Sequence, residues 1–164
     1  MRVSWGAGAQ RVDESWFQDI RTISAAGAEE SLALRQMADD ATLYLSRFPW
    51  CPPILRGWLA DGAGGIIALF LFEFTKPMQN GDRRLWVVVG DFPRACVRVL
   101  AEDSPHAAIE RYVGLLERWI NKVMIFDAAS WNEFPLELEP SLRQAKLLRL
   151  KIDFLRQEVL PLLE

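Results

Sequence analysis

Apolar residues recur along this chain in two distinct rhythms, and the two divide it into sheet and helix. From Ile66 to Phe74 eight of nine residues are apolar, and Gly64-Gly65 and Thr75-Lys76-Pro77 bound the run. Leu85-Trp86-Val87-Val88-Val89 and Ala95-Cys96-Val97-Arg98-Val99-Leu100 follow, separated by Gly90-Asp91-Phe92-Pro93. Short runs rich in β-branched and aromatic residues, bounded by Gly, Pro, Asn and Asp, form strands. The pattern predicts a three-stranded antiparallel meander over 66–74, 85–90 and 94–100. The first two strands lack polar alternation, so both of their faces should be covered. The third should be an edge, because Arg98 breaks its pattern and Pro93 cannot donate to a ladder.

Elsewhere the period is helical. Asp13 as cap, then Trp16, Phe17, Ile20 and Ile23 on one face, predict a helix over 13–25. Leu34, Met37, Ala38, Ala41, Tyr44, Leu45 and Phe48 make the buried stripe of a second helix, 29–48, which Pro49 ends. A proline-stiffened connector follows, and 54–59 reads as one short helical turn. Ser104-Pro105 starts a helix over 105–124, and a last helix spans 141–160. Residues 126–139 have no period and read as a loop pinned by Trp131, Phe134 and Leu136. The whole is an α+β fold of three strands and about four helices in a single domain, 1–164.

Composition narrows the function classes. At 164 residues the chain can bury a core without disulfides, and its net charge of −3 gives no positive field for nucleic acid or an anionic membrane. The acidity leans towards residues 1–82, which hold seven basic and ten acidic side chains. Two cysteines, Cys51 and Cys96, no apolar leader after Met1, and no run approaching the ~20 residues of a membrane helix set the expectation of a cytoplasmic protein with reduced thiols.

Catalytic signatures are hard to find. His106, the only histidine, sits in the first turn of a helix with no partner motif. Cys51 lies in Trp-Cys-Pro-Pro, but Ile54 stands where a dithiol motif needs its second cysteine. Two glycine runs, 6–8 and 62–65, do not leave a strand to open a helix, as a phosphate loop must. Glu73 interrupts an apolar strand and calls for Arg84 or Arg98 as partner. Paired with Asp91 it is the first candidate for carboxylate catalysis. Among seven tryptophans, Trp16, Trp86 and Trp119 fall in core phase, while Trp5, Trp50, Trp58 and Trp131 fall in or near loops, where aromatic anchors for a ligand or partner belong. No cofactor or metal site is expected.

Trp16-Phe17, Met37 to Ala41, Phe48-Pro49-Trp50-Cys51-Pro52, Leu71-Phe72-Glu73 and Leu85 to Asp91 together carry a resemblance. Over about residues 13–160 the chain resembles a group of small bacterial proteins with no assigned activity. The resemblance implies bacterial origin and one intact domain. Phe92-Pro93-Arg94 departs from the group, which has two prolines in that turn.

Two functional readings follow. One is a non-catalytic protein-interaction module of immunity or adaptor type. The alternative is a small-molecule-binding domain or enzyme with a pocket near Trp50, Cys51, Glu73 and Asp91. The last helix adds an expectation of assembly. Ala145, Leu148, Ile152, Leu155 and Val159 form one apolar seam, while Leu147, Leu150 and Phe154 form a second, turned away from it. A helix closing one side of a domain needs only one such stripe. The second is therefore either covered by the chain's own loop of Trp131, Phe134 and Leu136 or meets a second copy, and the expectation is a homodimer.

Overall fold

In the computed structural model, which describes residues 12–125, 136 and 138–163, a five-stranded antiparallel sheet lies between helices on both faces. Among the described residues the strands are β1 (Gln18–Asp19), β2 (Ile54–Ala63), β3 (Ile67–Phe74), β4 (Arg84–Gly90) and β5 (Ala95–Arg98), in that spatial order. The α-helices are α1 (Ala28–Ser46), α2 (Pro105–Met124) and α3 (Leu142–Phe154). The α+β class and the meander of the three expected strands both hold, with β4 between β3 and β5. Three strands and four helices do not.

Side-chain alternation explains the layers. Ala68, Phe70, Phe72, Phe74, Val87 and Val89 face α1 through Leu34, Met37, Ala41 and Tyr44. Ile67, Leu69, Leu71, Trp86 and Val88 face α2 and α3 through Tyr112, Leu116, Ile120, Leu148 and Ile152. β3 therefore needs apolar residues at successive positions, and six in a row are buried. Each large side chain so buried contributes about 1.5–3 kcal/mol before chain entropy is subtracted.

Two segments differ from their sequence patterns. The expected helix over 13–25 is a turn, the two-residue strand β1 and a 3-10 turn, Ile20–Thr22. Asp13 does accept from Ser15, but through an Asx-type turn rather than a helix cap. Phe17 and Ile23 are buried on opposite sides of the sheet, whereas Trp16 is 49% exposed and not in the core. A helical period over so few residues could not resist the pairing of Gln18 with Leu59 and Asp19 with Trp58.

The expected helical turn at 54–59 is instead the first half of β2, paired with β3 from Ile54↔Phe74 to Ala63↔Ile67. Register shifts between Ile54 and Arg56, and between Leu59 and Asp61, break its period of two. Gly57 is needed there, because an added Cβ would come within 2.8 Å of the Phe72 ring.

The other helices keep close to the expected bounds. Ser104 accepts from the Ala107 N–H and caps α2, with Pro105 behind it. Ser141 caps α3 in the same way. Past Phe154, the expected last turns of α3 widen into a π-helix, Leu155–Val159, and then tighten to a 3-10 turn, Leu160–Leu162. Of the expected loop anchors, Leu136 is half-buried against the core; Trp131 and Phe134 lie outside the described residues.

Candidate functional site

At the end of the sheet where β3 finishes, charged residues gather around Trp58. Glu73 pairs with Arg84 at 3.1 Å and with Arg56 at 3.4 Å. Arg84 also reaches Glu14 at 3.1 Å. Both guanidinium groups stand 5.6 Å from the Trp58 ring centroid. Arg84 satisfies the sequence expectation for Glu73, whereas Arg98 lies on the other sheet face and binds Asp82. Burial works against the Glu14 carboxylate, but Arg84 holds it below its ordinary range. Two carboxylates thus meet two guanidiniums, and the group ties the N-terminal segment to the sheet. Trp58 is part of that tie rather than an open anchor.

Trp50 sits at the corner after α1, 44% exposed and stacked on Phe48 at 5.1 Å. Cys51 follows it and packs on the α1 side of the sheet, as does Cys96. Burial raises the Cys51 thiol above its usual range and pushes Cys96 up to about 12. Thiolate is the reactive form, so both should resist modification. Titration of the native protein with an aromatic disulfide at pH 8 should label Cys96 only after unfolding, and Cys51 slowly. Rapid labelling of both would contradict this placement.

Trp50, Cys51, Glu73 and Asp91 do not form one pocket. Glu73 pairs with Arg84 at one end of the β3–β4 ladder, and Asp91 follows Gly90 at the other. Six residues of strand separate the ends, roughly 20 Å at about 3.3 Å each. Cys51 belongs to the α1 face, and Glu73, in phase with Leu69 and Leu71, to the opposite one. A Glu73–Asp91 pair is therefore excluded as an acid–base couple. Trp5 and Trp131 are outside the described residues.

Asp91 instead borders a cavity of about 260 Å³. Gly90 to Pro93 form one wall, and Leu147, Leu148 and Lys151 of α3 form the other, with Leu138 and Gln144 completing it. The turn is fixed from three directions. Gly90 takes φ +139°, the Asp91 N–H donates to the Ile66 carbonyl at 2.8 Å, and the Tyr112 hydroxyl donates to the Pro93 carbonyl at 2.6 Å. Burial raises the Tyr112 phenol above its ordinary range, so it remains a donor. Lys151 reaches over the turn to the Asp91 carbonyl at 3.0 Å and its carboxylate at 3.5 Å. Sequence reasoning missed Lys151, since nothing local links residues 60 positions apart.

Leu147 joins this cavity to the second apolar seam of α3. Ala145, Leu148, Ile152, Leu155 and Val159 are buried as the first seam requires. Leu147, Leu150 and Phe154 are 46%, 67% and 49% exposed. Among the described residues no group of three or more His, Cys, Asp or Glu could hold a metal ion, and no helix is long and apolar enough to cross a membrane. No family model, curated protein or solved structure matches the chain.

Proposed function

We propose that this protein is a non-catalytic interaction module that works through the outward strip of α3, and that it self-associates there. The exposure of Leu147, Leu150 and Phe154 carries the reading. Three large apolar side chains along one helix line are a surface that gains by being covered, and a two-fold contact is the commonest way to cover it. An immunity or adaptor role fits a chain whose chemistry is spent on packing and ion pairs. The small-molecule reading has one observation in its favour, the cavity beside Asp91. At about 260 Å³ it falls short of the roughly 300–1,000 Å³ usual for ligand pockets.

Light scattering at micromolar concentration should give twice the chain mass. Leu150→Glu should restore the monomer, weakening association at least about thirtyfold, because losing a central apolar anchor costs about 2 kcal/mol or more. Leu150 is exposed in the single chain, so the melting temperature of the monomeric variant should not fall through lost packing. A monomeric parent chain, or a variant that remains dimeric, would refute self-association by this strip.

A further inference from the structure

We infer that the partner of α3 is a second copy packed antiparallel, about a two-fold axis between Leu150 and Lys151, with Phe154 of each copy seated in the cavity beside Leu147 of the other. This rests on the proposed self-association and adds its geometry. Arg143, Leu147, Leu150 and Phe154 recur at spacings of four, three and four, the rhythm of a helix–helix seam. Glu158 continues it, because the π turn needs more than four residues to come round and keeps Glu158 below Phe154.

Charge decides the direction. Antiparallel pairing about that axis sets Arg143 opposite Glu158 and Leu147 opposite Phe154. It also brings Lys146 within two residue steps, about 3 Å along the axis, of Asp153 on the same flank. All four charged residues are exposed. Parallel pairing would set Arg143 against Arg143 and Glu158 against Glu158. The Lys151 groups do approach each other across the axis, but each is held by its own Asp91.

The cavity supplies the occupant's shape. Leu147 lines it, so whatever stands opposite Leu147 stands at its mouth. In this register that residue is Phe154. The walls of Phe92, Pro93, Leu147 and Leu148 suit an aromatic ring, and the volume suits a side chain better than a free ligand.

Association of the full chain should be measured by analytical ultracentrifugation. Arg143→Glu and Glu158→Arg, each alone, should weaken it about tenfold, since two symmetric contacts turn repulsive at once. Both together should return it to within about twofold of the parent. Phe154→Ala should weaken it at least about tenfold while the separated chains stay folded. A dimer that the double reversal fails to rescue, or that ignores Phe154→Ala, would overturn this register while leaving self-association standing. Absence of any dimer would overturn both.

Discussion

Asp103→Asn should lower folding stability by about 3 kcal/mol, one of the two strongest effects expected in this molecule. The Asp103 side chain is fully buried and accepts from every direction. Arg111 donates through both terminal nitrogens, the Trp86 indole donates at 3.0 Å, and the backbone N–H groups of Leu100 and Ser104 donate at 3.0 and 2.9 Å. An amide of the same shape turns an NH2 towards these donors and leaves the Arg111 charge without its counterion. For a domain of this size the loss corresponds to a drop of about 6–12 °C in melting temperature.

Acid should reproduce the effect in the parent. Burial works to raise the Asp103 carboxyl, but Arg111 first, then the backbone and indole donors, hold it below its ordinary value. A carboxylate with a lowered folded pKa adds stability that is complete above its unfolded value of about 3.9. That stability is lost as pH falls through the lower folded value. Denaturant titrations from pH 6 down to 2 should therefore show a steeper acid loss for the parent than for Asp103→Asn. Parallel curves would argue that the ion pair contributes nothing.

Gly90→Ala should cost nearly as much, about 3 kcal/mol, for a different reason. At φ +139° the backbone is in a region that side chains rarely adopt, and an added Cβ would lie 2.2 Å from the Ile66 carbonyl oxygen. Relief requires moving either that carbonyl, which accepts from Asp91, or the turn carrying Phe92 and Pro93. The turn is one wall of the cavity, so the same variant should also weaken self-association. Urea unfolding gives the first effect and sedimentation the second. A variant as stable as the parent would show that the turn relaxes freely.

Local signals in the chain were sufficient for α1, α2, β3, β4, β5 and the start of α3. Their periods are long or their boundaries sharp, as with Ser104-Pro105 and Gly90 to Pro93. The two seams of α3 were legible for the same reason: helical spacing separates them whatever lies nearby. Tertiary structure alone decided the fate of 13–25 and 54–63. There a weak helical period met an open sheet edge, and bulges in β2 hid the alternation that marks a strand. It also decided that Glu73 and Asp91 stand at opposite ends of one ladder, and that Lys151 closes on Asp91. Spacing along a chain sets which face a side chain takes within its own element. Which distant residue meets that face depends on how the layers pack, and no local pattern encodes it.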